Sequence, residues 1–403
     1  MAIVVIGTLD TKGTEHEFAR DVIAEQGIDT HLIDTGVQGD PTVDADTPRE
    51  EVARRGGTDL GDLRAAGDRG EAVDVMARGA AAVATDLHDE GVLEGVLSLG
   101  GSAGTTIGTT AMRALPYGVP KVMVSTMASG DTRPYVESRD IAMLYSVADI
   151  AGLNRLTRRV ISNAALAVVG MVANDPDVET SDKPTVGVTM FGVTTPCVTE
   201  ARSLLEERGY EVLTFHATGT GGKAMEGLVE EGVVEGVLDV TTTELADELV
   251  GGVLSAGPDR LEAAGEAGVP QVVSVGALDM VNFGPRDSVP QEFEGRQFHV
   301  HNPTVTLMRT TVEENRELGR TLAEKVNRAT GPVTVLLPTE GVSMIDVAGE
   351  DFHDPDADAA LFDAIRETVD DEIEVIEKET DINDPEFART LVDTFTDAMD
   401  DGR

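Results

Sequence analysis

The sequence lacks tryptophan altogether, has one cysteine, Cys197, and carries aromatic side chains at only 3% of its positions. A single cysteine excludes an internal disulfide and fits a reducing interior. Lysine is nearly as scarce: six of the 31 basic residues, against 74 acidic ones and a formal net charge of −43. Such a charge excludes non-specific binding to nucleic acid or to an anionic membrane surface. No long apolar run is evident either. The opening MAIVVIGTLDTKG turns polar by Thr8 and reads as a first strand rather than a signal peptide. No stretch approaches membrane-spanning length, so the expectation is a soluble, cytoplasmic protein.

The acidic residues are spread evenly through periodic, apolar-containing segments, which excludes a disordered acidic chain. Acid excess with little lysine points to a cytoplasm at molar salt, where a carboxylate surface stays hydrated and its self-repulsion is screened. With 403 residues, of which 41% are hydrophobic, the chain can bury more than one core.

Aliphatic runs alternate with amphipathic stretches throughout: IVVIG (3–7), a helical segment at 15–27, DTHLIDTG (29–36), a helical segment at 72–91, VLEGVLSLG (92–100) and GVPKVMVST (118–126). This order predicts βαβ units and mainly parallel sheets. The polar stretch 174–184 reads as a linker between domains at 1–176 and 185–403. The second half repeats the first. Residues 185–219 match 3–36, residues 230–247 match 89–106, and residues 267–279 match 117–130. The fold class expected is therefore α/β: two Rossmann-like, doubly wound domains facing across a cleft, with ligands at the carboxyl ends of the strands. The acidic segment from about 350 reads as helical with a late strand at IEVIEKE, packing on a domain or on a partner subunit.

Four post-strand loops of the first half carry polar chemistry. In LGGSAGTT the turn Gly100, Gly101, Ser102, Gly104, Thr105 and Thr106 reads as a phosphate cradle, or as a plain strand-to-helix turn. It fits neither the Walker A pattern nor the dinucleotide fingerprint. GTLDTKG offers Gly7, Thr8, Asp10 and Lys12, the lysine as a point charge for a phosphate or an ion pair. STMASGDTRP offers Ser125, Ser129, Gly130 and Asp131. Asp34, at the end of a strand, reads equally as a ribose ligand or a turn cap.

GTLDTKGTEHEF, LGGSAGTT, STMASGDTRPYV, FHATGTGGKAME and FHVHNPTVTLMRTT together resemble the family named for the N-terminal ATP-binding domain of the tomato mosaic virus resistance protein. The resemblance runs over almost the whole chain. It implies two Rossmann-like subdomains and binding of an adenine nucleotide, ATP, at the loops of the first. The plant protein's binding of a viral replication protein, and its further barrel-like domain, are not expected of this chain.

The second half is equipped differently. Thr218, Gly219, Gly221, Gly222 and Lys223 form another glycine turn, suited to a substrate carboxylate or phosphate. His299 and His301 lie two apart, on one face of an extended segment. With His216, Asp279 or Glu340 they read as a metal site, or as polar histidines making hydrogen bonds. Cys197, near a helix start, reads as a nucleophile of lowered pKa with His216 as its base, or as simple packing. Glu340 is the candidate general base, with Ser343 and Asp346 exposed beside it.

Three functions stand open: an ATP-dependent enzyme acting on a small acid or carbonyl substrate, with Mg²⁺ held by Asp10 or Asp131; a nucleotide-binding regulator without turnover; and a metal-assisted hydrolase built on the histidine pair. A homodimer is the expected assembly.

Overall fold

A computed structural model describes residues 1–174 and 182–401, so the expected linker at 174–184 lies for the most part outside the described residues. The chain forms two compact units. The first runs β1 (Ala2–Gly7), α1 (Leu9–Ala24), β2 (Asp29–Asp34), α2 (Arg49–Arg55), α3 (Leu60–Ala66), α4 (Arg69–Asp89) and β3 (Leu93–Gly100). It continues with α5 (Ser102–Arg113), β4 (Lys121–Ser125), α6 (Arg133–Val136), β5 (Ala142–Tyr145) and α7 (Arg155–Ala173).

Its five strands are all parallel in the order β2-β1-β3-β4-β5. The winding direction therefore reverses between β1 and β3, which opens a crevice there at the carboxyl ends of the strands. Val4 and Ile6 pack with Val52, Met76 and Ile107 on one face, while Ile3 and Val5 pack with Ala19 and Ile161 on the other. Burial on both faces explains why these strands read as unbroken aliphatic runs. Helix α1 begins at Leu9, well before the segment expected from periodicity, and Lys12 interrupts its first turns at φ −136°, ψ 25°.

One helix corrects the expectation of no membrane-length segment. By length and composition α7 could cross a bilayer, yet Ile161, Ala164, Ala165, Val168 and Val169 lie buried in the same core as Val122 and Val124. Its apolarity is that of a helix lying on a sheet.

The second unit runs β6 (Thr185–Met190), α8 (Thr195–Glu207), β7 (Glu211–His216), α9 (Thr220–Glu230), β8 (Gly236–Thr241), α10 (Glu244–Val250), α11 (Ala263–Ala267) and β9 (Gln271–Gly276). There follow β10 (Met280–Phe283), β11 (Phe298–Asn302), β12 (Val305–Arg309), α12 (Val312–Val326), β13 (Val333–Pro338), α13 (Pro355–Thr368), β14 (Glu374–Lys378) and α14 (Pro385–Asp401). Its parallel sheet has the order β7-β6-β8-β9-β13-β14, so the first four strands repeat the winding of the first unit. Strands β10, β12 and β11 form a separate antiparallel sheet.

The acidic carboxyl-terminal segment packs on its own unit. Phe387, Leu391, Phe395 and Met399, spaced by four along α14, are buried in the core beside Val188, Leu238 and Val272. At ~1.5–3 kcal/mol per buried side chain, this stripe contributes on the order of 10 kcal/mol as an upper bound. Gly236 permits the close approach, because a Cβ there would lie 2.7 Å from both Phe395 Cζ and Met399 Sδ.

Candidate functional site

The crevice between β1 and β3 opens into a cavity of about 480 Å³. Its polar wall is Thr8, Asp10, Thr11 and Lys12 from the start of α1, with Gly101, Ser102, Ala103 and Gly104 from the start of α5. Thr35, Val37 and Gln38 come from the loop after β2, and Ile107 and the α4 face of Arg69, Ala72, Val73 and Met76 close the apolar side. Neither α1 nor α5 has a side-chain cap at its N-cap residue, Thr8 or Gly101. The N-terminus of α5 thus aims backbone N–H groups and the positive end of its dipole at this space. A larger hollow of about 840 Å³ lies at the other end of the sheet, around Leu93, Lys121 and Ala142. Doubly wound sheets do not place ligands at that end.

Of the residues expected from sequence, Thr8, Asp10, Lys12, Gly101, Ser102 and Gly104 line the cavity. Several are already engaged. The Lys12 ammonium donates to the Ile150 carbonyl. Asp10 Oδ2 accepts from the N–H groups of Gln38 (2.9 Å) and Gly39 (3.2 Å), while Arg64 Nε donates to Val37 O at 2.5 Å. The loop after β2 is therefore held in place from two sides.

The remaining expectations for this unit are corrected. Asp34 is buried and stands outside the cavity. Its Oδ1 accepts from Leu9 N (3.1 Å) and Gly36 N (2.8 Å), so it caps α1 rather than offering itself to a ribose, and burial pushes its carboxyl above the ordinary range. Gly7 makes room for an imidazole of the protein itself: a Cβ there would fall 1.8 Å from His16 Nε2. Gly100 allows β3 and α5 to touch, since its Cβ would lie 2.7 Å from Gly104 Cα. The Thr105 and Ser125 hydroxyls bond each other at 2.6 Å, and Thr106 donates to Ser102 O at 3.1 Å. Ser129, Gly130 and Asp131 are exposed on a turn outside the cavity, where Asp131 is held by Arg133 at 2.8 and 2.9 Å. Those hydrogen bonds lower the Asp131 carboxyl.

In the second unit the expected anion turn is occupied by a carboxylate of the chain. The N–H groups of Gly219 and Gly222 donate to Glu244 Oε1 at 2.6 and 3.1 Å, and Glu244 Oε2 accepts from Arg260 Nε at 2.6 Å. Gly221 lies against the His216 carbonyl, Thr218 donates to the same carbonyl at 3.2 Å, and Lys223 stands exposed on α9. In the ungapped match of 89–106 with 230–247, Glu244 falls where the first unit has Ala103. At this matched position an alanine lines the cavity of the first unit, whereas the second unit has a carboxylate that reaches across to the turn after β7.

The other second-unit expectations are also corrected. Cys197 is fully buried, and burial pushes its thiol well up, the reverse of activation. No hydrogen bond joins it to His216, which is exposed at the end of β7 with its ring edge-on to Phe191 at 5.5 Å. Glu340 is exposed, but Ser343 and Asp346 are buried; Ser343 Oγ donates to Asp279 Oδ2 at 2.8 Å. His299 and His301 do share one face of β11, with ring centroids 6.5 Å apart. His299 Nδ1 meets Asp351 Oδ2 at 2.7 Å, and among the described residues no three metal-ligating side chains converge.

Sequence reasoning missed Thr11, Thr35, Val37, Gln38, Ile107 and the whole α4 face. The period of apolar residues at Ala72, Val73 and Met76 signals a packed helix face, but not what it faces.

A doubly wound α/β scaffold is built twice in one chain, with a cavity at the switch point of the first unit. The chain belongs to the uncharacterised protein family UPF0261, whose N-terminal domain matches residues 1–177 and whose C-terminal domain matches residues 183–399. A UPF0261 protein of Clostridium tetani is 52% identical over 99% of both chains. One from Mesorhizobium japonicum is 47% identical, covering 96% of this chain and 97% of its own. The ToMV resistance protein Tm-1(GCR237) of Solanum lycopersicum is 47% identical over 81% of this chain, which spans 44% of the tomato protein. The resemblance read from the motifs holds.

Proposed function

We propose that the first unit binds an adenine nucleotide in the β1/β3 cavity. The observation that carries this reading is the N-terminus of α5, which opens into the cavity with no side-chain cap, at a position where the matching residue of the second unit is the carboxylate Glu244. A helix N-terminus that no protein anion occupies suits an external one. The phosphates lie against Gly101, Ser102, Gly104 and Lys12, and the base against Ala72, Val73, Met76 and Ile107. A cavity of about 480 Å³ suits a ligand of nucleotide size.

A divalent cation accompanying the phosphates fits this donor set. Asp10 is the carboxylate in the wall, and its Oδ1 has no hydrogen bond among the described residues, while Oδ2 is committed to Gln38 and Gly39. Mg²⁺ is bound by one or two carboxylates together with phosphates and water, so Asp10 holds it, with Thr8 and Thr11 alongside. Asp131 does not fit, being outside the cavity and tied to Arg133. We read the acidic charge as adaptation to a cytoplasm of high salt.

The test is the melting temperature in molar KCl with and without millimolar Mg-ATP, on the wild type and on Gly101→Asp. A Cβ at Gly101 has its nearest neighbour at 3.8 Å, so the variant folds while placing a negative charge in the cavity. A ligand that binds only the folded state must raise the midpoint. A rise in the wild type that disappears in the variant supports the reading. A wild-type midpoint that stays put with ATP in excess overturns it.

A further inference from the structure

The α4 face of the cavity carries a cation with no partner among the described residues. Arg69 lines the cavity, one helical turn before Ala72 and Val73, and its side chain makes no hydrogen bond, ion pair or ring contact among the described residues. Two features make this notable. The chain holds 74 carboxylates and 31 basic residues, so an arginine without a carboxylate beside it runs against the balance of the whole surface. Arg69 is also the first residue of a 21-residue helix, next to its N-cap Asp68. A cation there opposes the positive end of the helix dipole. Nothing in the fold of the unit uses it.

The charges around it define what it can meet. On its own element, Asp68 spends its carboxylate on the N–H groups of Gly70 and Glu71 (2.8 and 3.1 Å). Across the cavity Asp10 is bonded to Gln38 and Gly39, and the other cation, Lys12, is tethered to Ile150. Resting on the nucleotide reading, we propose that Arg69 is the phosphate clamp of this site. Its guanidinium closes from α4 over the terminal phosphates that the N-terminus of α5 holds from below, so that the site selects a triphosphate over a nucleoside. A guanidinium suits this role because its fork of donors takes two phosphate oxygens at once, which an ammonium cannot.

The experiment titrates ATP, adenosine and inorganic tripolyphosphate, each in the presence of Mg²⁺, into the wild type, Arg69→Ala and Arg69→Lys by calorimetry. Because Arg69 is exposed and unpartnered, the unliganded variants keep the wild-type melting temperature. Loss of charge-assisted hydrogen bonds weakens ATP and tripolyphosphate about 10- to 100-fold in Arg69→Ala, with a partial loss in Arg69→Lys, while adenosine is unchanged. Equal ATP affinity in wild type and Arg69→Ala overturns the clamp and leaves the nucleotide site standing. Equal weakening of ATP and adenosine also overturns it, placing Arg69 against the base. A wild type that takes up none of the three overturns the nucleotide reading and the clamp with it.

Discussion

Arg260 clasps the Asp239 carboxylate through Nη1 and Nη2 at 2.6 and 2.8 Å, while its Nε donates to Glu244 at 2.6 Å. All three groups are buried, and Asp239 also accepts from the Thr189 hydroxyl at 2.7 Å, joining β6 to β8. One guanidinium thus serves two carboxylates at the switch point of the second unit.

Removing that guanidinium leaves two buried carboxylates without a cation. Arg260→Leu is expected to lower the unfolding free energy by about 3–5 kcal/mol, because a buried charge stripped of its partner keeps its desolvation cost. Urea unfolding at pH 7 measures this. A loss below about 1 kcal/mol would mean that water or a rearranged side chain already serves these carboxylates.

A second buried cluster makes stability depend on pH. Arg309 Nη2 meets Asp346 at 3.1 Å and Asp358 at 2.7 Å, with Asp279 close by. Burial, reinforced by the neighbouring carboxylates Asp279 and Asp358, pushes Asp346 up to about 9 from an ordinary 3.8. Between those values the folded chain holds a proton that the unfolded chain has released, so this contribution is full below pH ~4 and is lost as pH rises towards ~9. Asn at 346 cannot ionise in either state. The stability of Asp346→Asn relative to wild type therefore rises with pH over this window, by at most about 1.4 kcal/mol per pH unit. Denaturation at pH 5 and pH 8 reads the difference directly, and an equal gap at both would place the proton elsewhere.

Gly7 and His16 form a tight pair in the first unit. The imidazole is buried, its Nδ1 meets Lys12 O at 2.7 Å, and burial lowers its pKa. Gly7→Ala drives a methyl group into that ring and is expected to cost about 1–3 kcal/mol. Truncating the ring in Gly7→Ala/His16→Ala relieves the clash, so the double variant loses less than the sum of the single losses. Strict additivity would show that the two side chains do not meet.

The scaffold was legible because each strand is an aliphatic run ending at a polar turn, and because the second half repeats the first in order. The turns 8–12 and 101–104 were legible for a related reason: glycine and hydroxyl residues directly after a buried strand have few uses other than starting a helix at a ligand. Residue type alone did not reveal what each polar group already binds. Thr105, Ser125 and Asp34 look like ligand donors, yet they are spent on one another or on backbone N–H groups. Arg69 and Met76 escaped because tertiary packing, not spacing in the chain, brings α4 over the turns. The glycine turn at 219–222 was misread despite a signal in plain view, an acidic residue at the start of α10 in the same unit, where the matching position of the first unit has alanine.

The Glu244 carboxylate is delivered to Gly219 and Gly222 by the polypeptide itself, and this gives the second turn a different kind of occupancy. An intramolecular partner has an effective concentration fixed by chain geometry rather than by the surrounding medium. Its turn is saturated whatever the cell's supply of small anions, and dialysis cannot strip it.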